Sequence, residues 1–197
     1  MSDFDLATSI ALGVGLAAAT GFRVFLSMLV VSAAAYTGHL PLDENFGWLG
    51  TPQALIMLGV AAVVEVVAYY VPVVDNLLDT LATPAAVIAG TLVSAAVMTD
   101  LPPMVKWTTA IIAGGGIAGV TQGVTALLRA KSTVLTAGVG NPVIATAELG
   151  GSLVLSLLAL VAPLIALLVV AVFLWLAIRL IRKVAEGTGS FNKLENQ

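Results

Sequence analysis

The chain reads as an all-α, polytopic helical membrane protein with about six membrane segments, and three observations point there. Hydrophobic residues make up 59% of it and charged residues only 10%, too few to cover a soluble domain of this length. Several apolar runs reach the roughly 20 residues that cross a bilayer as a helix. Charges are also confined: Arg23, Glu65 and Glu148 stand inside the apolar stretches, while nearly all the others lie between them or at the ends.

Windowed hydropathy places the segments at about Leu6–Tyr36, Pro52–Val71, Ala82–Met98, Trp107–Leu128, Pro142–Ala162 and Leu164–Ile181. As one straight helix the first run would be about 45 Å long against a hydrocarbon core of about 30 Å. It must tilt, bend or break, and Gly21, beside Thr20 and Arg23 at its centre, is where a helix can open its backbone. The second run opens on Gly50-Thr51-Pro52. Before the third comes a short amphipathic stretch, Val74–Asp79, with Asp75 and Asp79 at i and i+4 on one face. It is either a solvated interfacial helix or an acidic pair that lines a vestibule or binds a hard cation with Glu65. The final apolar stretch, from Leu149 to Ile181, is too long for one crossing, and Pro163 should divide it into two helices.

Segment four laid on segment one at an offset of 102 superposes Gly13, Ala17 and Gly21 on Gly115, Gly119 and Gly123, with Thr20 on Gln122. Gly140-Asn141-Pro142 likewise echoes Gly50-Thr51-Pro52. Such small-residue stripes are ordinary helix-contact surfaces, but together these matches also fit a 3+3 inverted repeat, residues 6–99 and 107–183, with interrupted or re-entrant helices. On this reading Gly21, Gly115, Gly119, Gly123 and Pro163 serve as hinge or packing positions. Residues 1–184 form a single transmembrane domain and 185–197 a disordered cytoplasmic tail.

With six crossings, one side receives Arg129, Lys131, Arg179, Arg182, Lys183 and Lys193, and the other only Lys106. The positive-inside bias therefore puts both termini in the cytoplasm and the Gly38–Gly50 loop outside. The acidic start, Met1-Ser2-Asp3-Phe4-Asp5, lacks the basic region of a signal peptide, so the first span is expected to stay in the mature protein.

Composition excludes several functions. There is no basic stripe for a nucleic acid. The sequence has no cysteine and one histidine, His39 in a loop, so thiolate, iron–sulfur and His-rich metal sites are excluded; a metal is left undetermined and no cofactor is expected. No HExxH, Gly-x-Ser-x-Gly or cysteine nucleophile is present, and an enzyme is not expected.

A charge at membrane depth is costly unless paired or hydrated, which makes Arg23, Glu65 and Glu148 the leading candidates for function. Arg23 is expected to pair with Glu65 on the next segment, with Glu148 joining them and Thr20, Thr121, Gln122 and Asn141 adding uncharged partners. Two carboxylates around one arginine would leave one acid able to exchange a proton. Alternatively, Arg23 and Glu65 merely lock two helices together. The substrate- or ion-binding set is then Arg23, Glu65, Glu148, Asp75, Asp79, Thr20, Gln122 and Asn141.

The pattern Glu65-x-x-Ala68-x-x-x-Pro72-x-x-Asp75-x-x-x-Asp79, preceded by Gly21-Phe22-Arg23, resembles domain-of-unknown-function family 4126, small bacterial membrane proteins. Asn141, Glu148 and Arg129 resemble the family's later Asn, Glu and Arg. The chain departs from it at Tyr69, where the family carries an acid, and near Gln122 and Thr125, where the family has a His and a Lys. The resemblance implies a bacterial cytoplasmic membrane and supplies no reaction. Two functions are therefore expected to compete: a small transporter or channel, proton- or cation-coupled and handling a small anionic solute, or a non-transporting scaffold or assembly protein. The expected partners are the lipid bilayer and that small ion or solute, with a second copy of the chain left open.

Overall fold

A computed structural model describes residues 3–71, 74–99 and 101–195, with the side chains of 3–5, 74–77, 79 and 180–195 outside the description. Among the described residues every regular element is helical. These are α1 (Asp3–Phe22), α2 (Val24–Tyr36), a 3-10 turn (Glu44–Gly50), α3 (Pro52–Ala68) and α4 (Val74–Val97). After them come α5 (Pro103–Thr109), a π-helical stretch (Ala110–Gly115), α6 (Gly116–Thr136), α7 (Asn141–Val161) and α8 (Pro163–Glu195).

Three helical spans are long and apolar enough to cross a membrane: Thr80–Val97, Pro103–Thr136 and Asn141–Val161. A fourth is added if the 3-10 turn and α3, bent by 66° at Thr51, count as one, and α1, α2 and α8 supply shorter apolar helices. These long apolar helices mark a membrane protein. The Leu6–Tyr36 run is broken, as its excess length requires, and the break falls on Arg23, whose backbone is extended (φ −147°, ψ 112°). Pro163 does divide the last apolar stretch: α7 ends at Val161, Ala162 leaves helical geometry, and α8 starts on the proline. Two boundaries differ from expectation: α6 runs on to Thr136, past Leu128, and α4 starts early. The Val74–Asp79 stretch is not a separate short helix but the first turns of α4, which runs through Pro84 without ending.

The core is built where α1, α4 and α6 approach closely through small residues. A Cβ on Gly21 would lie 2.5 Å from the Ala118 carbonyl oxygen and 2.6 Å from Thr121 Cβ, so α1 touches α6 backbone to backbone. Gly13 faces Ser94 of α4 and Met98 just beyond it, Gly115 faces Thr91 and Val87 of α4, and Gly119 also faces Val87. Both glycine stripes therefore meet α4, while Gly21 meets α6. Gly123 meets neither: among the described residues nothing lies within 4 Å of where its side chain would begin, so it packs against no other helix of this chain there. We expect Gly21→Ala to cost ~1–3 kcal/mol through forced backbone movement. Gly123→Ala should instead gain about 0.5–1 kcal/mol from helix propensity; thermal unfolding in one detergent compares the two.

At one end of the bundle the loop before α3 docks on α4 and α5. Asp43 N–H donates to the Ala96 carbonyl (2.8 Å), the Asp43 carboxylate pairs with Lys106, and Phe46 packs against Trp107 at 6.2 Å between ring centroids. The Lys106 ammonium, as donor to Asp43, holds that carboxyl below its ordinary pKa. A depressed folded-state pKa contributes stability that is present above the unfolded value and lost as pH falls through the folded one. Asp43→Asn should therefore lower the melting temperature at neutral pH, and the difference from the parent should vanish in acid, at pH values below the depressed pKa.

Candidate functional site

The site forms because the helix break at Arg23 frees backbone groups that lipid cannot satisfy. The first amides of a helix have no intrahelical acceptor, and in a membrane each must find one within the protein. Those of α2 find Glu65. Its Oε1 accepts from Val24 N–H (2.9 Å), and its Oε2 accepts from Phe25 N–H (3.1 Å) and, more weakly, Leu26 N–H (3.4 Å). A carboxylate at a helix N-terminus also meets the positive end of the helix dipole. On the other side of the break, Ser152 of α7 donates to the Ala19 carbonyl (3.1 Å), and Thr20 and Ser27 both donate to Leu16 (2.9 and 3.3 Å). Ser27 in turn meets Ser156 (3.2 Å).

The expected Arg23–Glu65 pair is not what forms. Arg23 Nη2 lies 3.2 Å from Glu148 Oε2 and donates to the Ala145 carbonyl at 3.1 Å, both on α7. Glu65, occupied by three amides, remains an electrostatic neighbour. The physical reason is local: the break that exposes Arg23 also exposes the α2 amides, and these lie directly opposite Glu65.

A second arginine completes the cluster. Arg129 of α6 donates to the same Glu148 oxygen at 2.6 Å, and both guanidinium groups lie over the Tyr69 ring, Arg23 at 3.8 Å and Arg129 at 4.4 Å from its centroid. Arg23, Arg129 and Glu148 are all but fully buried, at 1, 1 and 3% exposure, so no bulk water screens them. Arg23 Nε and Nη1 have no hydrogen-bond partner among the described residues. With both carboxylates ionised, the formal charges of Arg23, Arg129, Glu65 and Glu148 cancel.

Sequence reasoning missed Arg129 and Tyr69. Arg129 was expected among the loop charges, yet it is buried inside α6, so it does not belong in the count of cytoplasmic basic residues. The signal was available: Gln122, Thr125 and Arg129, at i, i+3 and i+7, make a buried polar stripe on α6 that continues past Leu128. Of the other expected residues, Thr20 joins the hydroxyl network, and Asn141 is buried at the start of α7, donating to Thr133 (3.0 Å). Gln122 is buried on the Arg129 face of α6 with its Nε2 unpartnered, as is the Thr121 hydroxyl. The side chains of Asp75 and Asp79 lie outside the described residues, as do those of the tail from Ala185. Among the described residues no group of three His, Cys, Asp or Glu side chains could hold a metal ion.

The model of a family described as a domain of unknown function (DUF4126) matches residues 10–183, from the first turns of α1 into α8. The chain belongs to that family. No curated protein and no solved structure matches it. In this DUF4126 member, the ring face of Tyr69 meets the two arginines.

Proposed function

We propose that the protein is a small membrane transporter or channel that handles a small anionic solute and couples it to protons. The observation that carries this reading is the broken helix α1–α2 with a compensated charge cluster at the break. Membrane transporters commonly place their sites where a helix is interrupted, because half-helix ends offer unpaired backbone groups to ions and substrates. Arg23, with two unpartnered donors, supplies positive charge there, and Glu65 and Glu148 are the acids that exchange protons or compete with the solute.

In this proposal the chain crosses the bacterial cytoplasmic membrane six times with both termini inside, and its halves are inverted repeats. The Asp43–Lys106 pair supports it, since the loop that carries Asp43 and the start of the helical span that carries Lys106 belong at one face in a six-crossing topology. Reporter fusions at Lys193 and in the His39–Trp48 loop should then report opposite sides.

Purified protein in liposomes should show proton-linked flux of a small anion, and Glu65→Gln should abolish the proton coupling while the protein stays folded. A parent that moves no ion or small anion across a broad panel, under pH gradients of either sign, overturns the reading. One observation favours the second reading, a non-transporting scaffold: the side chains of the Arg23–Glu148–Arg129 cluster are buried. A scaffold would give no flux, and no pH-dependent conformational change in parent or variant.

A further inference from the structure

A groove of about 410 Å³ runs between α2, α3 and α4, and its wall includes Val24, Phe25, Glu65, Tyr69, Leu81 and Ala85. Among the described residues its lining is apolar apart from the Tyr69 ring and the Glu65 carboxylate, which caps the α2 amides. The α3 flank that forms one wall continues outward as Met57, Val60 and Val64, all exposed. In a membrane that flank faces acyl chains, so the groove opens to lipid. Behind the cap, the guanidinium of Arg23 stacks on Tyr69, one turn along α3 from Glu65, with Nε and Nη1 buried and unpartnered.

Resting on the anion-handling reading above, we propose that this groove binds a monocarboxylic acid with an apolar tail, whose carboxylate replaces that of Glu65 on the α2 N-terminus. The Glu65 side chain is chemically a tethered copy of the ligand. A free carboxylate can accept the same three N–H groups and meet the same helix dipole. The positive charge of Arg23 lies behind the Tyr69 ring that lines the groove and favours an anion there. The tail chemistry follows from the wall: an inorganic anion would gain nothing from Leu81, Ala85 and Val64, whereas an aliphatic tail removes apolar surface from competition with lipid and fills the groove.

The exchange balances without moving net charge into the bilayer. The ligand enters from lipid as the neutral acid. Its O–H bond breaks and a new O–H bond forms on Glu65. The ligand, now a carboxylate, accepts from Val24, Phe25 and Leu26, and neutral Glu65 releases them. One negative charge lies at the α2 N-terminus before and after. Among the described residues the charged neighbour of Glu65 is Arg23 at the break, with Glu148 of α7 and Arg129 of α6 clustered on Arg23 and Tyr69; Arg23, Arg129 and Glu148 compensate one another but for one positive charge, which the anion balances.

The test is calorimetric titration of octanoate into the protein in lipid nanodiscs at neutral pH, with empty nanodiscs as reference and with octan-1-ol and potassium chloride as comparison ligands. Octanoate should saturate one site at least about tenfold more tightly than octanol, since only it carries the group that the helix terminus recognises. Added from water as the anion, it should take up about one proton per molecule bound, read from titrations in buffers of different ionisation heat. Glu65→Gln should bind octanoate more tightly, by about tenfold, because no tethered charge competes, and should take up no proton. Ala85→Trp, which fills the groove from α4, should lose binding. Equal affinity for octanol, saturation by chloride at the same site, or proton uptake that persists in Glu65→Gln would each overturn the proposal. Flux of some other anion without octanoate binding would leave the transport reading standing and this one refuted. Octanoate binding without any flux would do the reverse.

Discussion

Replacing Glu148 with alanine should destabilise the protein more than any other single change, by ~3–5 kcal/mol, because it removes the carboxylate that two buried guanidinium groups share. Arg23 and Arg129 both meet Glu148 Oε2, at 3.2 and 2.6 Å, and both are buried. The loss is not the worth of an ion pair, since a buried pair barely repays its desolvation; it is the cost of the one buried positive charge that Glu65 alone does not balance. The comparison that establishes this is a double change. Glu148→Ala with Arg129→Met should be less damaging than Glu148→Ala alone, and Arg23→Met with Glu148→Ala should couple in the same sense. Arg23→Met with Glu65→Ala should be near additive, because Glu65 spends its oxygens on α2 amides. Strong coupling in the Arg23–Glu65 cycle and none in the Arg23–Glu148 cycle would reverse the assignment of partners. Equilibrium unfolding in mixed detergent, with all variants in one buffer, measures these cycles.

The reason this cluster was only half legible in the sequence is instructive at particular residues. Arg23, Glu65 and Glu148 were visible because each is a charge inside an apolar run, and the break beside Gly21 was visible because the run is too long for one crossing. What pairs with what was not visible. Hydropathy ranks residues by depth along a helix and says nothing about which helix faces which, so the carboxylate inside the next apolar segment, Glu65, stood in for the one that Arg23 meets in space, Glu148. Arg129 was assigned to a loop because windowed hydropathy ends a segment at the first charge near its boundary, whereas α6 continues to Thr136. Tyr69 stood out only as a departure from the family pattern, and only the fold shows both guanidinium groups over its ring. The small-residue stripes were legible as contact surfaces, but their common target on α4 is a matter of tertiary arrangement, and Gly123 shows that a residue on the stripe need not lie on the contact.

Glu65→Ala should have the second-largest effect, and a different signature. It removes no partner from Arg23's ion pair but leaves three amides at the start of α2 without an acceptor, in surroundings where lipid offers none. An unsatisfied buried donor costs about 1–3 kcal/mol, and three at one helix end should together cost at least ~3 kcal/mol after local relaxation. The damage should be local. Hydrogen exchange should rise at Val24, Phe25 and Leu26 and spread into the first turn of α2, while α4, α6 and α7 keep their protection. Glu148→Ala, by contrast, should raise exchange around Arg129 and Ala145 and leave the α2 terminus capped. The same deletion opens a space the size of a small carboxylic acid beside three ready donors, so acetate in the buffer should restore much of the lost melting temperature to Glu65→Ala, and equal concentrations of acetamide should not, since a neutral amide lacks the charge that the helix terminus selects. Rescue by both, or exchange that rises evenly across the bundle, would mean that Glu65 fills volume between α2 and α3 and that its charge is incidental.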